Sequence, residues 1–202
     1  MTPIRDTDGD RHQMEFFRPE FISQRLGKLG QWQGGIALKL RLQNPIKANE
    51  FSKLLQGRTP EGEVLRLPSQ QPRVRGWHFT LGDGDSLSVL WALSPRGIRG
   101  KIQLAHSQAV RAAVADFENV LNCTRLFEKL FDTPRKQMLF AKFQSGASRE
   151  QAPGLETNVF LFNLILQRGG MVEKLTSEQV KQQQVRIQAI YRQELRKGIS
   201  QA

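Results

Sequence analysis

The run LETNVFLFNLILQ, from Leu155 to Gln167, constrains this chain more than any other stretch. Leucine, phenylalanine, valine and isoleucine dominate it, which is the make-up of a strand. Glu156 and Asn158 interrupt it one residue apart. On a strand, residues i and i+2 point to the same face, so a carboxylate and an amide would stand side by side. Metal sites place paired ligands at this spacing, but they favour histidine over an amide. The plain alternative is the solvent face of a strand.

The other elements follow from the same kind of pattern. Ile102, Ala105, Ala109, Ala112, Ala113, Val114, Phe117, Val120 and Leu121 recur at helical spacing and predict a long helix. GWHFTL (76–81) and the stretch from Gln137 to Gln144 predict strands. Ile36, Leu38, Leu40 and Leu42 alternate with Ala37, Lys39 and Arg41 and predict another. A short helix is expected from Asn49 to Leu55, with Asn49 as its N-cap and Gly57 at its end. SLSVLWAL (86–93) reads as the start of a helix. Phe17, Phe21, Ile22 and Leu26 recur at helical spacing between Met14 and Gln33. Thr176 caps a last helix from Ser177 to Lys197. Strands separated by one long helix predict an α+β fold. The polar residues 1–13 read as a loose N-terminal arm, and 14–202 as a single domain.

Thirty basic residues against nineteen acidic give a net charge of +11, so a polyanion is the default partner. The single cysteine, Cys123, excludes a disulfide framework and a cysteine-based zinc site, and reads as a buried thiol at a helix end. No apolar run approaches the roughly 20 residues of a membrane span, and the N-terminus has no apolar signal segment. A cytoplasmic protein with no membrane partner is expected. His12, His78 and His106 lie too far apart to suggest a triad. No phosphate-binding or dinucleotide glycine motif is present, and no cofactor is expected. DTDGD (6–10) begins like a calcium loop but lacks the bidentate glutamate that closes one.

Several segments together resemble a known family. GQWQGG (30–35), FSKLLQGRTPEGEVL (51–65), WHFTLGDGDSLSVLWAL (77–93), AHSQAV (105–110) and FQSGASREQAPGLETNVFLFN (143–163) match, in order and spacing, the relaxase domain of TrwC/TraI-type conjugative relaxases, members of the HUH endonucleases. The resemblance covers roughly 14 to 197. It implies a central antiparallel sheet flanked by helices, a relaxase palm. Because the family continues past the last helix, it also implies a C-terminally shortened clamp with weaker, less sequence-specific DNA binding.

In such enzymes a tyrosine attacks a phosphate of single-stranded DNA, and three histidines hold a metal that neutralises the developing charge. The resemblance puts Phe16 and Phe17 where the tyrosine pair belongs. It puts Ser145, Glu156 and Asn158 where the three histidines belong. His78 takes the place of an aspartate that aids the nucleophile, Ala152 that of an acidic residue, and Asp85 that of a lysine. The only tyrosine, Tyr191, lies in the last helix. These are degenerate positions, so neither a catalytic residue nor a metal ligand is expected. His106 reads as a structural, hydrogen-bonded histidine.

Arg73, Arg75, Arg96, Arg99, Lys142 and Arg149 are candidate phosphate contacts, and Phe16 and Phe17 candidate stacking platforms for bases. The leading expectation is a catalytically inactive relaxase-like protein that binds single-stranded or hairpin DNA. Its role would be accessory or regulatory in plasmid or mobile-element biology, alongside relaxosome or other conjugation proteins. One rival is a scaffold for a relaxase or helicase partner. The other is a metal-dependent nickase that uses Glu156, Asn158 and Asp85.

Overall fold

Alternation along three long strands gives this protein a sheet with two different faces, each buried by its own helices. The computed structural model describes residues 1–5, 30–65, 74–123, 136–147, 153–166 and 172–200. Strands β1 (Thr2–Arg5), β2 (Gln31–Gln33), β3 (Val74–Leu81), β4 (Phe140–Ala147) and β5 (Pro153–Phe162) form one sheet in the order β1-β3-β5-β4-β2. Each neighbouring pair is antiparallel. A small second sheet pairs β6 (Ile165–Leu166) with β7 (Val172–Glu173). This is the expected α+β architecture.

The first face carries Trp77, Phe79 and Leu81 of β3, Leu155, Val159 and Leu161 of β5, and Phe140 of β4. Over it lie helices α4 (Arg96–Cys123) and α6 (Gln184–Ser200), which follow α3 (Gly84–Leu93) and α5 (Ser177–Gln182). The alanines at 105, 109 and 113 leave α4 a shallow surface against which α6 packs with Ile187, Tyr191 and Leu195. The approach is close: a Cβ at Gly198 would stand 2.7 Å from the Ala105 Cβ.

The second face carries Leu139, Ala141 and Phe143 of β4 and Phe160 and Phe162 of β5. Helices α1 (Gly35–Lys39) and α2 (Ala48–Leu55) cover it. Phe51 of α2 is the keystone, edge-on to Phe162 at 5.1 Å, Phe160 at 5.8 Å and Phe143 at 6.3 Å. Such a ring contributes about 3–5 kcal/mol relative to alanine.

Several elements differ from expectation. Ile36 to Leu42 is not a strand. Ile36 and Ala37 are buried side by side while Leu38 is 82% exposed, the burial of a helical turn. Gly34, at φ 104°, turns the chain, and the Ile36 N–H donates to the Met138 carbonyl at 3.0 Å. The edge position goes to β2 instead. The Met14–Gln33 helix lies outside the described residues up to 29, and its end is β2.

The loose arm also fails at its start. Thr2–Arg5 pairs with β3, because Ile4 buries itself against the second face. Residues 6–13 lie outside the described residues. Helix α2 begins at Ala48 rather than Asn49, whose Oδ1 accepts from the Glu50 N–H at 2.8 Å. Strand β5 stops at Phe162 because Asn163 ties the turn, donating to the Val74 carbonyl at 2.8 Å and accepting from the Leu175 N–H at 2.6 Å. The last helix is divided at Gln183, but Thr176 caps it as expected, accepting from the Gln179 N–H in a capping box. Cys123 closes α4. No described helix is long and apolar enough to cross a membrane.

Candidate functional site

Beyond the aromatic cluster, the second face becomes polar. The strand register puts Asn158 between Thr80 of β3 and Phe143 of β4, and Glu156 opposite Ser145. His78 lies two residues before Thr80 on the same side. Three adjacent strands thus gather His78, Thr80, Ser145, Glu156 and Asn158. Sequence reasoning missed Thr80, although its i+2 spacing from His78 in GWHFTL is a readable signal.

The cluster is ordered around Asn158. Its Oδ1 accepts from His78 Nε2 at 2.8 Å and from the Thr80 hydroxyl at 3.1 Å. An amide oxygen only accepts, so this contact places the imidazole proton on Nε2. The His78 ring also stacks on Phe160, centroids 4.8 Å apart. Ser145 and Asn158 are buried, while His78 and Glu156 are half-buried. Strand β1 pairs with β3 only as far as His78. Beyond it a cleft of about 330 Å³ opens, lined by Met1, Thr2, His78, Thr80, Gln184 and Gln188 among others. Gln188 Nε2 donates to the Thr80 carbonyl at 3.0 Å and closes one side.

These donors do not fit the three-histidine metal centre that the resemblance implies. They are one hydroxyl, one carboxylate and one amide whose oxygen already takes two hydrogen bonds. Among the described residues no three His, Cys, Asp or Glu side chains gather to hold an ion. Asp83 instead pairs with Arg192 at 3.2 Å, and Asp85 sits in the first turn of α3.

The expected phosphate contacts scatter. Arg75 is half-buried on β3 and Arg96 is exposed at the start of α4. Arg99 serves the fold: its Nη2 donates to the Ala92 carbonyl at 2.7 Å and the Ser94 carbonyl at 3.3 Å, which finishes α3, and its guanidinium lies 5.7 Å from the Trp91 ring centre. Lys142 alternates with Phe143 and Ser145, so it points to the opposite face from Asn158. Burial, then the Arg111 charge, pulls its ammonium down to a pKa of about 8. Phe16, Phe17, Arg73, Ala152 and Arg149 lie outside the described residues.

On the helical side of β5 stands a second polar group. His106 shares hydrogen bonds with the Tyr191 hydroxyl at 2.9 Å and the Thr157 hydroxyl at 2.8 Å. Burial, then the Asp83 charge, pushes the Tyr191 phenol well above its ordinary range. It stays neutral and enclosed, the opposite of what a nucleophile needs.

The model for the TrwC relaxase family matches residues 11–202. The chain belongs to the TrwC relaxase family. It is 30% identical over 159 residues to the multifunctional conjugation protein TraI of Escherichia coli K12; the match covers 77% of this chain and 9% of TraI. Its fold is similar to that of copper-bound TrwC in complex with oriT DNA, with a TM-score of 0.73, 19% identity, and 99% of this chain and 69% of that chain covered. TrwC with a 27-mer DNA comprising the recognition hairpin and cleavage site gives a TM-score of 0.71 and 21% identity over 99% of this chain and 68% of that chain. At these identities the likeness to TrwC structures speaks for the fold.

Proposed function

We propose that this TrwC-family chain binds single-stranded or hairpin DNA without cutting it, and acts as an accessory or regulatory protein of plasmid or mobile-element DNA processing. One observation carries the reading. The three strand positions that the resemblance assigns to metal-holding histidines converge on one face, yet they carry Ser145, Glu156 and Asn158, with Asn158 engaged by His78 and Thr80. A metal held here would lack its imidazoles, and Phe16 and Phe17 offer a ring without an attacking oxygen. The net charge of +11 supports a polyanion partner. The relatives whose structures contain oriT DNA supply its class.

The test is a binding series with single-stranded, hairpin and duplex DNA at two salt concentrations, with and without Mn²⁺. Binding should weaken steeply with salt, and no cleavage should appear. Metal-dependent nicking abolished by Glu156→Gln would overturn the reading.

A second reading has its own observation. Val89, Leu90 and Leu93 of α3 leave an apolar strip exposed, Leu93 at 80%. A chain that ignores DNA but forms a stable complex with an intact relaxase or helicase would be a scaffold.

A further inference from the structure

Lys142 and Gln144 alternate along β4 with Ala141, Phe143 and Ser145, so they project toward α4, away from the polar cluster around Asn158. Arg111 of α4 belongs to the same place. Its carbonyl accepts from Gln33 Nε2 of β2 at 2.9 Å, which ties the helix to this edge of the sheet. Gln31, also of β2, is the cross-strand partner of Lys142.

Packing alone leaves three features here without a reason. Lys142 is half-buried, and among the described residues it has neither an acid nor a hydrogen-bond acceptor. The ionic neighbour that acts on it is Arg111, a second cation. Gln144 Nε2 is buried with no partner among the described residues. Like charges brought together in a half-buried position cost free energy, and so does an amide donor with no acceptor. All three groups donate, and an anion would satisfy all three at once. Guanidinium and ammonium together are the usual pair for phosphate oxygens.

We propose that Lys142, Arg111 and Gln144 form a phosphate-binding site between α4 and the β4–β2 edge, on the side of the sheet opposite the Asn158 cluster. Arg111 supplies the planar fork from the exposed side, Lys142 the point charge beneath it, and Gln144 the amide N–H that orients a third oxygen. The phosphate belongs either to a free phosphate group or to a nucleic-acid backbone led around the sheet edge. The site stands whether or not the Asn158 face binds DNA.

The experiment titrates inorganic phosphate into the full chain at constant ionic strength near neutral pH, read by thermal unfolding and by NMR of labelled lysines. A saturable rise in unfolding temperature is expected below about 10 mM. The Lys142 titration should move upward as phosphate binds. Lys142→Met and Arg111→Gln should each weaken the response roughly fivefold or more, while Lys174→Met, on an exposed loop, leaves it unchanged. Arg111 is exposed, so its variant reports affinity rather than folding. A parallel titration with oligothymidylate separates the two sources: a matching loss in both variants indicates a backbone phosphate, and unchanged DNA binding indicates a free one. An equal phosphate response in wild type and both variants, or no saturable response, overturns the site.

Discussion

Thr157 and Asn158 are adjacent in β5, and each belongs to a polar group on its own side of the sheet. His106 joins Thr157 to Tyr191 under α4 and α6, where Thr157, His106 and Tyr191 are 4%, 0% and 0% exposed. Asn158 meets His78 and Thr80 beside a cleft, with half-buried Glu156 and buried Ser145 near it. Both groups contain a histidine, a hydroxyl and a third polar side chain. They differ in access. The sealed group fixes the helices to the sheet, since any member removed strands the others away from water. The open group can meet a ligand because solvent reaches its edge. Along β5, therefore, a ligand can reach the Asn158 group, whereas the Thr157 group is closed to one and holds the helices.

The largest test of that contrast is His106→Ala. It strands two buried hydroxyls and leaves a cavity, so denaturant unfolding should show a loss of about 3–5 kcal/mol. His78→Ala should lose only about 1 kcal/mol. Equal losses would break the comparison. Next comes the triple variant Ser145→His, Glu156→His, Asn158→His. If the three positions share one face as the register says, it gains Ni²⁺ or Zn²⁺ binding, and a hundredfold excess over Kd adds about 2.7 kcal/mol of stability. Calorimetry that finds no binding would mean the strands do not aim these side chains together.

Lys142 sharpens the contrast through pH. Its pKa is lowered on folding from 10.5 to about 8, so the unfolded chain holds more protons between those values. Stability should rise as pH climbs through that window, by on the order of 1–3 kcal/mol. Lys142→Met should remove the rise, measured as unfolding midpoints against pH. Tyr191→Phe should cost about 1–2 kcal/mol and leave DNA affinity alone. The smallest effect concerns the open face: Glu156→Gln deletes a carboxylate there and should tighten single-stranded DNA binding about two- to fivefold at low salt.

The local patterns were readable and the long-range ones were not. Glu156 and Asn158 share a face because a strand has period two, and the residues say so without help. Helix α4 announced itself through its alanines and isoleucine. Ile36 to Leu42 imitates a strand, since alternation over so few residues also suits a short helix whose outer leucine meets solvent. Strand β1 carries little signal of its own; β3 and the pocket for Ile4 make it a strand. The side of the sheet that Lys142 faces depends on the parity of β4, which its charge alone does not reveal. His106 and Tyr191 are 85 residues apart, and nothing in either neighbourhood names the other.

The position of Met1 has a practical consequence. Its side of the cleft is shared with His78 and Gln188, a few residues along the sheet from Asn158. Any residues fused ahead of Met1 for purification would emerge into that cleft and compete for it. Binding assays on this face therefore call for an affinity handle placed after Ala202, or for one cleaved back to Met1 before DNA is added.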